Sequence, residues 1–317
     1  MKVLFVPVTY NSYDALDNYI ASVGKALKAA ADPSISVKIH VADNSNYSRN
    51  VECGMWNENT PSAETTHYDN PGYLPAALKT VYSEDYASYD YIIISNVDVT
   101  LDETFFTALR DLKPDPDTVW IAPFIWSPSE NRDVNPKILE RYTKKRLQLL
   151  RLLFACPPLY YLYTRTLYRK KVNKSRSEEN VRYENTPSAA ISAQSSTSDG
   201  NHNSCVPSVA SEQSSSAQFS NLNSQLKNIY SGHGSFMIFR PELFQQEPPL
   251  DYPVFLFCEE IFMAEMVRRI GKKTVHCPTV KVWDCEHAST GLMGLWRYCK
   301  YNHDALSYII KHFYEQD

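Results

Sequence analysis

The sequence predicts an α/β fold built on a mostly parallel β-sheet with helices on both of its faces. Apolar, β-branched segments typical of strands alternate with segments of helical spacing over residues 1–125. Some of these strand segments are apolar at nearly every position, as is typical of strands buried inside a parallel sheet. Ligands of such sheets bind at the carboxyl ends of the strands, so the polar residues that follow the strands are the first candidates for a functional site.

The predicted elements can be placed in order along the chain. In the first half the predicted strands are Lys2–Val8, Val37–Ala42, Tyr91–Ile94 and Val119–Phe124, and the predicted helices are Ser12–Ala31 and Leu74–Tyr82. Towards the end of the chain the predicted strands are Ser235–Arg240, Thr274–His276 and Val280–Trp283, and the predicted helices are Glu259–Ile270 and Leu292–Tyr314. This alternation favours right-handed crossovers between parallel strands.

Composition divides the chain into four segments. Residues 1–125 and 229–317 carry the strand and helix patterns and form two halves of one domain. Residues 126–174 form a basic helical excursion, with eleven Lys and Arg side chains and one acid, Glu140, between positions 136 and 174. Residues 175–228 are dominated by Ser, Asn and Gln. Such a composition cannot bury enough apolar surface to offset the entropy of ordering, which predicts a disordered, low-complexity insertion.

Charge, cysteine content and hydropathy exclude several classes of protein. The formal net charge is −4, which gives no indication of nucleic-acid binding. The seven cysteines are scattered and contain no CxxC pair, so neither a disulfide framework nor a structural zinc site is expected. No apolar stretch approaches the ~20 residues of a transmembrane helix, and Met1–Val8 resembles a first strand more than a signal peptide. We expect a cytoplasmic protein, soluble or at the inner face of the membrane.

Polar residues follow the predicted strands directly. They are Thr9, Tyr10, Asn11, Asp43, Asn44, Asn96 and Asp98. A carboxylate at the end of a buried strand, such as Asp98, is suited to hold a hard divalent cation, although an Asp in a turn also satisfies backbone N–H groups. Asp43 is suited to accept hydrogen bonds from a nucleobase or ribose, but Asp43–Asn46 is also an ordinary turn sequence.

Two adjacent acids, Glu259 and Glu260, begin a predicted helix after the apolar run Val254–Phe257. Acids stabilise helix N-termini by ~0.3–1 kcal/mol, which is one explanation of their position. The other is that one of them is a general base, with a pKa raised by the neighbouring aromatic residues. His287 follows the predicted strand Val280–Trp283 and is either a metal ligand or an ordinary surface residue.

Seven segments in this order resemble a known enzyme family. They are Val8–Asn11, Val41–Ser45, Asn70–Tyr73, Ile93–Asp98, Gly234–Phe239, Phe257–Phe262 and Glu286–Thr290. Together they resemble the family-2 glycosyltransferases of the GT-A fold, whose sheet is Rossmann-like. The last three are similar to the branch that builds bacterial O-antigen and capsular polysaccharide, including rhamnosyltransferase-like members.

The resemblance implies an inverting transfer of a sugar from a nucleoside-diphosphate sugar to the hydroxyl of an acceptor glycan. Residues 1–125 would bind the nucleotide sugar, and residues 229–317 would bind the acceptor and carry out catalysis. The implied donor contacts are Thr9, Tyr10, Asn11, Asp43, Asn44, Gly72 and Asn96. Asp43 would contact the nucleobase, and Gly72 would let the backbone approach the donor.

The resemblance also implies a cofactor and a base. Mg²⁺ or Mn²⁺ would be held by Asp98, with His287 as a second metal or phosphate contact. Asp284 stands where the family often has His and would help to hold the cation. Glu260 would remove the proton of the acceptor hydroxyl, with Glu259 orienting it or exchanging roles with it.

Three other functions fit parts of the sequence. The first is a non-catalytic sugar-nucleotide-binding protein of the same fold, because fold does not fix function. The second is a nucleotidyltransferase, although that class usually carries a glycine-rich, basic loop where this chain has Thr9–Ser12. The third is a membrane-surface adaptor acting through residues 136–174, whose basic, leucine and tyrosine side chains suit a bilayer interface or, alternatively, a solvated face with its leucines on the core.

Overall fold

The computed structural model describes residues 1–47, 62–168, 226–285 and 293–315, and its centre is a ten-stranded sheet. The strands are β1 (Lys2–Thr9), β2 (Ser36–Asp43), β3 (Ser62–His67), β4 (Tyr91–Asn96), β5 (Val99–Leu101), β6 (Thr118–Ser127), β7 (Arg132–Asp133), β8 (Lys227–Ile229), β9 (Phe236–Phe239) and β10 (Lys273–Asp284). Their order is β3-β2-β1-β4-β9-β6-β10-β5, with β7 paired to β6 and β8 paired to β10.

Six strands of the sheet run in one direction. β1, β2, β3 and β4 pair in parallel, and β6 pairs in parallel with β10. The short strand β9 is antiparallel to both β4 and β6, so it joins the two parallel groups without changing their common direction. The predicted α/β class with a mostly parallel sheet is therefore confirmed, and the carboxyl ends of the six strands meet at one edge.

Helices cover both faces of the sheet, as predicted. They are α1 (Tyr13–Ala30), α2 (Tyr73–Ser83), α3 (Phe105–Asp111), α4 (Lys144–Ala155), α5 (Pro157–Tyr163), α6 (Glu259–Arg269) and α7 (Leu295–Phe313). Alternate residues of a strand point to opposite faces, so Phe5 of β1 packs with α1 and α3 while Leu4 packs with α2, α4, α6 and α7. The apolar continuity of β1 reflects burial on both sides.

Some elements differ from the sequence prediction. Thr274–His276 and Val280–Trp283 belong to one strand, β10, which keeps its pairing with β6 through a register shift between Cys277 and Lys281. The strand β3 was missed because it lies at the edge of the sheet, where the polar sequence Ser-Ala-Glu-Thr-Thr-His is tolerated.

The basic excursion contains the helices α4 and α5, while its first two residues, Trp126 and Ser127, complete β6 and Arg132–Asp133 form β7. A pair of backbone hydrogen bonds between Ile138 and Ser231, of 2.9 and 3.1 Å, joins the place where the chain leaves the sheet to the place where it returns. Most of the predicted insertion, residues 175–225, lies outside the described residues. Its last two residues, Lys227 and Asn228, belong to β8.

A buried carboxylate holds the excursion to the rest of the fold. Glu265 of α6 is fully buried and accepts hydrogen bonds from Arg141 Nε (2.7 Å), the Tyr230 hydroxyl (2.6 Å) and Arg268 Nε (2.9 Å). Arg141 also donates to the carbonyl oxygen of Phe313 at the end of α7, at 2.9 Å. The network therefore links α6, the end of α7 and the two segments that carry Arg141 and Tyr230. Removing one partner of such a buried pair would leave a charge without compensation.

Candidate active site

The polar residues predicted from the sequence lie at the carboxyl edge of the sheet. In the register of the strands, Thr9 of β1 is opposite Asp43 of β2, and Val8 is opposite Asn96 of β4. Further along the strand order, Asp284 at the end of β10 is opposite Val99 of β5, the residue after Asp98. The structure therefore brings the ends of β1, β2, β4 and β10 to the region where ligands of open α/β sheets bind.

Asp43 is held rigidly in this edge. Its carboxylate is fully buried, and it accepts hydrogen bonds from the Tyr13 hydroxyl (2.8 Å) and from the Ser45 N–H (2.9 Å). His67 Nδ1 lies 3.6 Å from Asp43 Oδ2. A ligand that binds Asp43 would have to share or replace these partners. Tyr13 and His67 were missed in the sequence because nothing in their local pattern shows which residue they contact.

Two buried polar atoms beside Asp43 have no hydrogen-bond partner in the described part of the chain: Thr9 Oγ1 and Asn44 Oδ1. The rest of Asn44 is well bonded, because its N–H donates to the Thr9 carbonyl (2.9 Å) and its Nδ2 donates to the Gly72 carbonyl (3.0 Å). A buried polar atom left unpaired costs about 1–3 kcal/mol, and such atoms commonly mark the place of a ligand or an ordered water. Tyr10 is 43% exposed beside them.

Gly72 lies against the loop that carries the two acids. Its φ of +117° suits glycine, and a Cβ built there would lie 2.2 Å from the carbonyl oxygen of Phe255. That same carbonyl accepts a hydrogen bond from the Tyr73 N–H at 3.3 Å. The absent side chain therefore makes room for the Phe255 backbone, and donor contact by Gly72 stays a prediction.

The loop before α6 has a strained backbone. Phe257 and Cys258 adopt φ values of +74° and +60°, a left-handed conformation that costs non-glycine residues about 1–3 kcal/mol each. Two hydrogen bonds hold it: the Phe257 N–H donates to Glu259 Oε1 (2.8 Å), and the Tyr252 hydroxyl donates to the Phe257 carbonyl (2.5 Å). Strain of this kind occurs at functional sites, where the surroundings fix one geometry.

The two acids at the start of α6 have different environments. Glu259 is 7% exposed, and burial together with the charge of Glu260 raises the pKa of Glu259 from 4.5 to about 8. Glu260 is only partly buried, and its Oε2 would lie 3.7 Å from a Cβ built on Gly234. The sequence could not distinguish these neighbours; in the structure Glu259 holds the loop and Glu260 has the more accessible carboxylate.

Tyr73 shows that the acids share one region. Its hydroxyl donates to the Gly234 carbonyl at 2.8 Å, and its pKa is raised by burial and then by the charges of Glu259 and Asp98, with a smaller contribution from Glu260. The Asn96 N–H also donates to the Ser235 carbonyl at 2.8 Å, so the end of β4 lies against the Gly234–Ser235 segment beside which the Glu260 carboxylate also lies. The local sequence does not indicate this role of Tyr73, because it depends on packing between distant segments.

His233 is a second buried residue of this region that the sequence pattern does not indicate. Burial, and then the positive charges of Lys137 and Arg132, lower the pKa of His233 to about 3, so its ring is neutral near pH 7. The ring Nδ1 lies 2.8 Å from Ser235 Oγ, and the His233 N–H donates to Asn135 Oδ1 at 2.7 Å. Its position between Gly232 and Gly234 in the sequence was the available signal.

The residues near Asp98 suit a hard divalent cation. The Cys285 N–H donates to the Asp98 carbonyl at 2.8 Å, which places Asp98 and Asp284 on adjacent chain segments. Carboxylate oxygens are the ligands that Mg²⁺ and Mn²⁺ prefer. His287, the other predicted ligand, lies outside the described residues.

A second group of ligand-type side chains is less suitable for a metal. His40, Glu64 and Glu84 bring ligand atoms within 4.8 Å of one another. Lys38 Nζ already lies 2.6 Å from Glu84 and 2.9 Å from Glu64, so an ammonium group already pairs with both carboxylates. This group is explained by its own ion pairs.

Gly72→Ala should destabilise the protein more than Gly271→Ala. Gly271 also has positive φ (+68°), but a Cβ there meets nothing within 4 Å, so only left-handed strain of about 1–2 kcal/mol is expected. At Gly72 the clash with the Phe255 backbone adds to the strain, and we expect a loss of about 2–4 kcal/mol. Urea unfolding measures the difference, and equal losses would show that the close approach is not needed.

Glu259→Gln should change how stability depends on pH. Between pH 4.5 and about 8 the unfolded carboxyl is ionised while the folded one keeps its proton, so rising pH favours unfolding of the wild type. The variant should equal the wild type near pH 4, gain a growing advantage up to about pH 8, and keep that advantage above it. Thermal melts across this range test the prediction, with the exposed Glu130→Gln as control; parallel pH profiles for Glu259→Gln and wild type would contradict it.

No protein-family model matches the chain, and no curated protein matches it. A crystal structure of GalNAc-T7 with UDP, GalNAc and Mn²⁺ is similar at 11% identity and a TM-score of 0.49, covering 100% of this chain and 49% of that one. The mannosyltransferase PcManGT from Pyrobaculum calidifontis, in complex with GDP-Man and Mn²⁺, is similar at 10% identity and a TM-score of 0.46, covering 94% and 60%. S. aureus TarS 1-349 in complex with UDP-GlcNAc is similar at 11% identity and a TM-score of 0.33, covering 48% and 43%. The chain thus spans about half the length of the first of these proteins.

Proposed function

We propose that this protein is an inverting glycosyltransferase that moves a hexosyl or deoxyhexosyl group from a nucleoside-diphosphate sugar to an acceptor glycan hydroxyl. One observation carries the proposal. Asp43 and Asp98 follow strand ends at one edge of the sheet, and the Asn96 N–H donates to the Ser235 carbonyl at 2.8 Å, next to Gly234, beside which the Glu260 carboxylate lies. The sequence resemblance set out above supports the same chemistry, and its O-antigen and capsule branch makes surface polysaccharide synthesis the proposed setting.

The donor would occupy the ends of β1, β2 and β4. Thr9 Oγ1 and Asn44 Oδ1 are buried and unpaired, and each can accept a hydrogen bond from an O–H of the ribose or an N–H of the base. Asp43 would contact the nucleobase or ribose by sharing the hydrogen bonds it makes now. Tyr10, exposed beside them, offers a ring for stacking on the base.

Asp98, with Asp284 beside it, would hold Mg²⁺ or Mn²⁺ next to the donor diphosphate. When bound, the ion supplies positive charge that offsets the negative charge growing on the departing diphosphate. His287 would be a further contact. The carboxylate oxygens of Asp98 and Asp284 are the kind of ligand that such an ion prefers.

Glu260 would act as the base. Its carboxylate is the more accessible of the pair, beside Gly234, and a general base must reach the proton of the acceptor hydroxyl. The hydroxyl oxygen would attack the anomeric carbon from the face opposite the diphosphate, with its proton passing to Glu260. Glu259 would position Glu260 by holding the loop before α6 through its hydrogen bond from the Phe257 N–H. Because the pKa of Glu259 is raised to about 8, Glu259 is neutral near pH 7 and adds no negative charge beside Glu260.

A panel of nucleotide sugars tests the donor and the metal together. We expect at least one nucleoside-diphosphate sugar to raise the melting temperature in the presence of Mn²⁺ and much less without it. In Asp98→Ala the Mn²⁺-dependent part should disappear while the melting temperature without ligand changes little. A panel without any stabilising compound would contradict the proposed function.

Glu260→Gln should lower the turnover of the donor identified by the panel ~10²–10⁴-fold, because the amide keeps the shape of the side chain and loses the proton acceptor. Donor binding, measured by the same melting shift, should be retained. The exposed Glu103→Gln is the matched control and should behave as wild type. Activity of Glu260→Gln within about threefold of wild type would remove Glu260 from the mechanism, and a larger loss in Glu259→Gln would exchange the two roles.

A further inference from the structure

Exposed apolar side chains are concentrated in the helical excursion. The structure leaves nine large hydrophobic residues exposed among those it describes, and six of them fall between positions 139 and 162. These six are Leu139, Leu149, Leu152, Leu159, Tyr161 and Leu162. Single exposed apolar residues are ordinary on a protein surface, whereas a contiguous group marks an interaction site.

Helix α4 has apolar residues on two opposite faces. Leu147 is fully buried, and Leu150 and Phe154 also pack against the core. Lys145, Leu149 and Leu152 are spaced i, i+4 and i+7, so they form a stripe on the outer face. Leu149 is 67% exposed and Leu152 is 64% exposed. Packing on the core thus explains the inner face of α4 and leaves the outer stripe unexplained.

The chain that carries this stripe is basic. Residues 141–168 contain six Lys or Arg side chains and no Asp or Glu. Lys144, Lys145, Arg146 and Arg165 are exposed. Arg165 lies over the ring of Tyr161 at 4.9 Å, so charge and aromatic surface occur together. Exposed leucines and tyrosines mixed with cations are complementary to a surface that is both apolar and anionic.

Aromatic contacts connect this surface to the candidate site. The Phe257 ring packs on Tyr298 of α7, with centroids 5.0 Å apart. Tyr298 in turn packs on Phe154 at 6.0 Å and on Tyr160 at 5.7 Å. Phe257 belongs to the strained loop that Glu259 holds. The ring contacts through Tyr298 therefore connect α4 and α5 to the loop that precedes the two acids.

We propose that the outer face of α4 and α5 binds the anionic surface of a lipid bilayer. Leu149, Leu152 and Leu162 would enter the headgroup region, and the surrounding Lys and Arg side chains would contact lipid phosphates. Within the described residues there is no helix long and apolar enough to cross a membrane, so the contact is peripheral. This membrane contact does not depend on the proposed sugar transfer. If both are correct, the ring contacts between α4, α5 and the Phe257 loop would place the transfer site close to the membrane surface.

Flotation of the full chain with vesicles tests the proposal. Vesicles of phosphatidylglycerol mixed with phosphatidylcholine should carry the protein upwards at low salt, and binding should weaken as salt rises because screening shortens the range of charge attraction. Pure phosphatidylcholine vesicles should bind much less. Failure to float with the anionic vesicles at low salt would overturn the proposal, as would equal binding to the two kinds of vesicle.

Two double variants separate the apolar and the charged contributions. Leu149→Gln with Leu152→Gln, and Lys144→Glu with Lys145→Glu, should each reduce the bound fraction at least several-fold. Lys25→Glu with Lys28→Glu changes two exposed lysines on α1, across the sheet from α4, and should bind as wild type. Circular dichroism checks that each variant is folded.

Other occupants of this face give different results. If a second copy covers it, the protein is a dimer that does not float, and the leucine variant is a monomer. If residues 169–225 cover it, the full chain stays unbound and floats only after their removal. Either result overturns the proposal and leaves the transferase activity to be judged by the nucleotide-sugar panel alone.

Discussion

The close approach between Gly72 and Phe255 is the constraint on which the candidate site depends. Gly72 is the N-cap residue of α2 and accepts a hydrogen bond from Asn44, just after β2, while Phe255 belongs to the loop that leads to the two acids. The contact therefore joins the half of the chain with the strand ends to the half with Glu259 and Glu260. A side chain larger than hydrogen at position 72 would separate them.

The helix α6 is held by two buried carboxylates, Glu259 and Glu265, which have different tasks. At its start, Glu259 is bound to the strained loop through the Phe257 N–H, in surroundings that favour the neutral acid. Near its end, Glu265 is bound by two arginines and a tyrosine, an arrangement that favours the anion. One helix thus carries a protonated and an ionised buried glutamate, and this difference arises from their neighbours and not from residue type.

The sequence predicted the edge of the sheet well and the contacts within it poorly. Apolar runs identify β1, β2 and β4, and the polar residues Asp43 and Asp98 follow them, so their location could be read from local pattern. The partners Tyr13 and Tyr73 could not, because they reach the site from helices whose packing depends on the whole fold. The edge strand β3 was missed for a related reason, since its polar composition is permitted only by its position. The role of His287 remains a prediction.

The hydrogen bonds between Ile138 and Ser231 close the base of the excursion. With the two ends held together, the length of chain between them adds a loop-closure entropy that grows only logarithmically, about 0.6 kcal/mol for each doubling. The length of the inserted chain therefore has little effect on the free energy of unfolding of the core. Residues can be added or removed between α5 and β8 without moving the edge of the sheet, whereas Arg141 and the core-facing side chains of α4 belong to the packing that holds it.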